Sequence, residues 1–546
     1  MNYLSNCEAD IVFYNGPVIT VNSKNEIAEA IAVKGNKIAF VGCEEEMKKY
    51  IGQNTKVIDL KGRSLIPGLI DSHLHTALVG ANSLAIDCRS PGVSSIEDIK
   101  NLIREVVKVT PKGEWIHGWG YDDSKLAEKR HPNRWDLDEV APDNPVVLTR
   151  VCCHISSHNS KSLELAGLAD NSPDPVGGVR DRENGVINGV MKENAHMQIS
   201  KISALSKEEI INAMAAANDM LVKEGITSIS DSGGFGHVQM GAIQDAVEQK
   251  KLKIRLNAMI FTLTDNLPMI EDYIKVGIHT GFGNDNYKIG PLKIMIDGSS
   301  SGPTASTLEP YASNPDFSGI LAMTQEQVDD IIIRAHAAGW QVTSHAVGDR
   351  AVTMIVDAIE KALKKYPREN HRHRIEHCAM INDELLDRIK KLGIVPIANP
   401  IFLYEFGDGY MVNYGKERAY KMFTAKSFFD KRIIAAGSSD CPVTFSYPIL
   451  NMHLAVNRET QNGQVINADE RITIEQALRM FTYNGAYASF DEDKKGTIEV
   501  GKLADLVVLS GSLYDTPIDK IRDLSVDMTI IDGDIVYQSG DGGCFM

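Results

Sequence analysis

From about residue 206 onward, apolar positions recur at two alternating periods. Ser206-x-x-Glu209 has the spacing of a capping box, and Ile210, Met214, Ala217 and Leu221 then recur on one helical face until Gly225 ends the run. Ile226-Thr-Ser-Ile-Ser230 follows as a strand. The pattern repeats: Thr324-x-x-Gln327 opens a helix with Val328, Ile331, Ile332 and Ala335 inward, Gly339 closes it, and Gln341-Val-Thr-Ser-His345 comes next. A further helix stops at Gly393 before Ile394-Val-Pro-Ile-Ala398. Strands near 67–71, 226–231, 254–261, 291–297, 341–345, 373–377, 394–398 and 433–437 make eight, which predicts an α/β fold of the (β/α)8 TIM-barrel type.

The flanks read differently. Residues 1–66 carry short strand-like runs with turn residues between them (Ala9–Tyr14, Pro17–Val21, Ala30–Val33 and Lys37–Gly42), and the far end repeats this with Ala504–Leu509, Val526–Ile531 and Ile535–Tyr537. Asp532-Gly533 between two apolar runs is a hairpin signal. Neither flank has enough strands to bury a two-sided core alone, so the expectation is one small β-sandwich built from 1–65 and 495–546, beside a barrel over 66–494. About 150 residues separate the first and second barrel strands, far beyond an ordinary βα loop. An inserted subdomain over about 80–205 is therefore expected, roofing the C-terminal face where barrel active sites lie. Trp115, Trp119, Tyr121, Asp122 and Asp123 are its candidates for lining a pocket, weighed against simply packing the insertion's own core.

At 546 residues the chain is long enough for more than one packed unit. A 43% hydrophobic and 24% charged composition is that of a soluble globular protein, and the net charge of −16 argues against nucleic acid or an anionic membrane as the partner. A small molecule fits better. Met1–Asp10 has no signal-peptide pattern, no run of 18 apolar residues occurs, and the eight cysteines lack zinc-ribbon or redox spacing, so a reducing cytoplasm is expected. Cys378 and Cys441 read as packing residues beside a site.

Chemistry concentrates at predicted strand ends. Pro67-Gly-Leu-Ile-Asp-Ser-His73-Leu-His75 places two histidines at i, i+2, where a strand turns both imidazoles the same way, as two ligands of one divalent metal require. Lys293, His345, His377 and Asp440 fall at or just past the ends of later strands. One such residue would be ordinary; in a barrel, all of them converge on one mouth.

The sequence resembles the metal-dependent amidohydrolase superfamily and, within it, the YtcJ-like group (amidohydrolase family 3) that includes N-substituted formamide deformylases. The resemblance covers nearly the whole chain. It rests on the His73/His75 motif, Pro132–Asp138, Ala141–Pro145, Arg150 with His154, Leu292–Gly298, His345–Ala351, Glu376-His377, Gly437–Val443 and Gly501–Leu506. It implies zinc, one or two ions per chain: His73 and His75 on one, His345 and His377 on a second position, and Asp440 shared between metal and catalysis. Lys293 stands where relatives carry a carboxylated lysine bridging two metals; the competing reading pairs its ammonium with Asp297. Glu193 is the rival carboxylate from the insertion. Ser299-Ser-Ser301 and Cys441 depart from the group's pattern near the mouth, which bears on substrate identity.

The expected reaction is hydrolysis of an amide or N-substituted formamide C–N bond, with Asp440 moving the proton and His154, or another histidine not bound to metal, stabilising the oxyanion. Trp115, Trp119, Tyr121, Asp122, Glu193 and Asp297 are the expected substrate-binding residues, and the expected partners are a small-molecule amide and a second copy of the chain in a homodimer. Two alternatives stand beside this reading: a mononuclear deaminase or other hydrolase of cyclic substrates, and a non-catalytic regulatory protein on the same scaffold.

Overall fold

The computed structural model describes residues 8–540 except 84, 204 and 262–265; the first seven residues of the stretch read for a leader lie outside it. Among the described residues, eight parallel strands form one sheet in sequential order: β1 Leu69–Leu74, β2 Ile226–Asp231, β3 Arg255–Ile260, β4 Tyr287–Met295, β5 Val342–Ala346, β6 Arg374–His377, β7 Val395–Ala398 and β8 Ala436–Gly437. The sheet curls until its ends meet. The Asp440 N–H donates to the His73 carbonyl at 2.8 Å and the His75 N–H to the Cys441 carbonyl at 2.9 Å, so the last and first strands are joined at the level of the predicted ligands. This is the TIM barrel expected from the alternating periods.

The helices are set by the residues that announced them. Ser206 and Glu209 form a reciprocal capping box on Lys207–Lys223, Thr324 and Gln327 do the same on Gln325–Ala337, and Gly393 ends Asp383–Leu392 in the left-handed conformation at φ 68°. Their apolar faces pack on the strands, with Met214, Leu221, Val328 and Ile332 buried in the same core as Ile229 and Ile294. Three strands differ from expectation: β1 runs on to Leu74 instead of stopping near 71. β8 is only two residues long, because the Ile433 N–H is taken by the Phe428 carbonyl at 2.8 Å in the turn that leaves the preceding helix. β4 begins earlier, since Tyr287 already pairs with Leu256 of β3.

The chain ends meet in a two-sheet sandwich. One sheet runs Lys37–Gly42, Ala30–Lys34, Ile11–Tyr14, Lys56–Asp59; the other runs Asp534–Gln538, Val526–Ile531, Leu506–Leu509, Leu65–Pro67, Val18–Ile19, Ile27–Ala28. Phe13 and Ile31 from the N-terminal side and Leu506 and Ile530 from the C-terminal side share one core. Asp532 and Gly533, at φ 54° and 80°, make the hairpin turn. The insertion is a third unit, a six-stranded sheet whose order is Gly178–Glu183, Val186–Glu193, Ile155–His158, Val146–Arg150, Ile116–Tyr121, Ile86–Asp87. No described helix is long and apolar enough to cross a membrane.

Candidate metal centre

Five strand ends deliver the ligand-type residues to one place. His73 and His75 come from the end of β1, Lys293 from β4, His345 from β5, His377 from β6, and Asp440 from the loop after β8; all line a single buried cavity, together with His154 of the insertion. The parallel register sets their level: Met295 lies beside His345, and His345 beside Glu376 with His377 next to Ala346. The His345 and His377 rings are 4.6 Å apart and those of His73 and His377 4.9 Å. His73, His377 and Asp440 each present a ligand atom within 4.8 Å of the others.

Each ring is held by one nitrogen. His73 donates Nδ1–H to Glu376, whose other oxygen accepts from Thr343 Oγ1 at 2.6 Å and Arg374 Nε at 2.9 Å. His75 donates Nδ1–H to the Gly233 carbonyl at 2.8 Å, and His377 donates Nδ1–H to Asn399 Oδ1 at 3.0 Å. That fixes the tautomer and leaves the Nε2 lone pairs for the cavity, as metal-binding histidines require. His73 Nε2 lies 3.3 Å and His75 Nε2 3.6 Å from Asp440 Oδ1. His345 is held the other way round, through Nε2 to the Gly298 carbonyl at 3.1 Å. The donor set, imidazole lone pairs beside one carboxylate, fits a borderline transition-metal ion.

Burial and neighbours set the charges. Burial works to raise Asp440, but the imidazoles of His73, His75 and His377 beside it outweigh this and hold it well below the usual carboxylate range. His377 is pushed down to about 3, chiefly by burial, so its imidazole is neutral. Burial also works against a charge on His154, yet Glu193, accepting from its Nδ1 at 2.8 Å, outweighs this and raises it. Lys293 is brought down to about 8 by burial; its Nζ lies 3.3 Å from His73 Nε2 and 4.5 Å above the Phe261 ring. Asp297 accepts the backbone N–H groups of Ser306, Val347 and Gly348 at 2.8–3.0 Å, and burial raises it to about 7.

Non-glycine residues with positive φ gather here: Cys153 (58°), Glu193 (51°), His377 (70°), Cys378 (44°) and Asp440 (58°). Such conformations cost of order 1–3 kcal/mol each and persist where surrounding structure imposes them, characteristically at functional sites.

The remaining candidates are dispersed. Glu193 stands behind His154 and also accepts from Thr304 Oγ1 at 2.5 Å. Trp119 lines a larger adjoining cavity. Asp122 pairs with Arg150 at 2.9 Å in a separate small cleft. Tyr121 packs in the insertion's core, its hydroxyl 3.0 Å from Ser157 Oγ, and Trp115 stands 6.0 Å from the His117 ring. Sequence reading gave no role to Glu376, Asn399 or Gly233. The available signal for the first was Arg374 and Glu376 at i, i+2, one face of a strand inside a barrel; for the other two there was none.

Comparison with known proteins agrees with this geometry. A model of the amidohydrolase family matches residues 56–537. YtcJ, a candidate amidohydrolase of Bacillus subtilis, is 30% identical over 539 residues, spanning 96% of this chain and 99% of its own. The N-substituted formamide deformylase of Arthrobacter pascens is 28% identical over 543 residues, spanning 97% and 98%. Among solved structures, an uncharacterized metal-dependent hydrolase from Pyrococcus furiosus superposes with a TM-score of 0.72 at 27% identity, over 93% of this chain and all of that one. The chain belongs to the amidohydrolase family and is a metal-dependent hydrolase.

Proposed function

We propose that this enzyme is a zinc-dependent hydrolase that cleaves the C–N bond of a small amide of the N-substituted formamide kind, with water as the nucleophile. The observation that carries the reading is the set of imidazoles whose outer nitrogens are anchored and whose inner lone pairs meet an ionised Asp440 in one buried cavity. His73, His75 and Asp440 would hold one zinc, with His345 and His377 at a second position. When bound, the metal supplies Lewis acidity and lowers the pKa of water toward neutrality.

Asp440 orients the attacking water, takes its proton as the oxygen adds to the carbonyl carbon, and delivers that proton to the nitrogen as the C–N bond breaks. His154, anchored through Nδ1 by Glu193, faces the cavity and donates to the developing oxyanion. A free ammonium cannot be a ligand, so we assign Lys293 as a carbamate, formed when CO2 adds to its neutral amine with loss of a proton. The deformylase among the relatives supports the substrate class.

The test is metal analysis of purified protein beside an amine-release screen over formamides and other amides. Zinc at one equivalent or more, rising toward two when bicarbonate is supplied, with amine released from formamides, is the expected result. Well under one equivalent of metal, and no gain in turnover on reconstitution, overturns the reading.

A further inference from the structure

The cavity over the metal centre is small, about 30 Å3. It accommodates a reacting carbonyl with a very small acyl group, and any bulk must lie elsewhere. A second cavity of about 430 Å3, within the range of small-molecule sites, shares Leu78 and Cys153 with the first. It lies between the helices Thr76–Asn82 and Lys207–Lys223 of the barrel and the insertion strands Ile116–Tyr121 and Val146–Arg150. Leu78, Trp119, Val147 and Phe235 give it apolar surface beside the charged Lys201 and Glu209, and it reaches solvent beside Val238, which is 46% exposed.

Trp119 contributes its ring to that lining. It is 6% exposed, and its Nε1–H has no hydrogen-bond partner among the described residues. The Arg89 guanidinium stacked 4.7 Å over the ring holds Trp119 in place.

We propose that this second cavity is the subsite for the nitrogen substituent of the substrate, an alkyl or aryl group, while the formyl-sized end sits over the metal centre. The proposal rests on the amide-hydrolase reading and deepens it. Leu78 and Cys153 mark the joint between the reacting bond and the substituent. The insertion therefore sets substrate choice, and the barrel supplies the chemistry.

The experiment uses the metal-loaded enzyme and N-alkylformamides from methyl to hexyl. In wild type, kcat/KM should rise about fourfold per methylene until the cavity is filled. Ala81→Phe, which places a ring inside the cavity, should collapse the hexyl-to-methyl ratio, and Val238→Trp at the exposed mouth should do so partially. An unchanged hexyl-to-methyl ratio in both cavity-filling variants overturns the proposal. If no formamide is hydrolysed, calorimetric binding of N-hexylformamide decides separately: weaker binding in Ala81→Phe than in wild type supports the subsite although the hydrolytic reading fails, and equal or undetectable binding in both refutes it.

Discussion

Two buried clusters of histidines lie at opposite ends of the same strands. At the mouth are His73, His75, His345 and His377; near the other end, where β5 and β6 begin, are His336, His371 and His373. Both are crowded, with ring centroids 4.3 Å apart for His371 and His373 and 4.6 Å for His345 and His377, and burial depresses the pKa of residues in both. What separates them is the account of lone pairs. In the lower cluster every ring nitrogen is used: His336 Nε2 donates to the Tyr366 carbonyl at 2.7 Å, His371 Nε2 to the Leu392 carbonyl at 2.7 Å, and His373 Nε2 to His336 Nδ1 at 2.9 Å. His371 and His373 each accept a backbone N–H on Nδ1, from His373 and Val342. At the mouth His73, His75 and His377 are anchored through Nδ1 and leave Nε2 for the cavity, with a carboxylate beside it. A count of histidines cannot tell a closed, neutral structural network from a metal site; the second nitrogen can.

The sharpest way to break this contrast is to remove one ring from each cluster. His73→Ala should abolish stoichiometric metal binding and turnover together, whereas His371→Asn should retain the metal measured by elemental analysis. Loss of metal from both variants, with the fold intact by circular dichroism, would show that the lower cluster also binds it.

Asp440→Asn should keep most of the metal yet lower kcat by about 10²–10⁴-fold, with a smaller change in KM, because the amide offers a ligand oxygen but cannot accept the proton of the attacking water. Turnover within a few-fold of wild type, at confirmed metal occupancy, would reduce Asp440 to a ligand. A gentler effect is expected at Glu376, which acts only through His73. Glu376→Gln should weaken metal affinity by about 10–100-fold in competition with a chelator, and rates measured at saturating metal should largely recover. Equal affinity in the two proteins would remove Glu376 from the site.

The smallest effect concerns the lower cluster and acid. Burial pulls His371 from its ordinary 6.5 to about 4, so between those values the unfolded chain binds more protons than the folded one. Its contribution to stability is therefore complete above pH 6.5 and declines as pH falls toward 4, by about 2 kcal/mol at pH 5. Urea midpoints at pH 7.5 and pH 5 should lie closer together in His371→Asn than in wild type; an unchanged gap would show that this ring does not report on folding.

Local pattern accounts for much of what could be read in the chain. The capping boxes at Ser206 and Thr324, the alternation of periods and the Asp532-Gly533 turn act within a few residues of chain, and each reappears where its spacing placed it. The same holds for the barrel-end positions of His73, His75, Lys293, His345, His377 and Asp440, because once eight strands alternate with helices their C-terminal ends must share one mouth. The partners that orient those rings were hidden, since Glu376 reaches His73 across 303 residues and Gly233 reaches His75 across 158. Trp119 and Tyr121, both candidates for lining a pocket, part company where the backbone breaks the strand's parity. Trp119 and Tyr121 would share a face in a regular strand, but Gly120 at φ 89° sits in a register shift, and Trp119 lines the cavity while Tyr121 packs in the insertion's core. Period and motif are properties of neighbouring residues and can be read along the chain; which nitrogen is left over, and which ring meets a cavity, depends on contacts that exist only once distant strands have closed into a barrel.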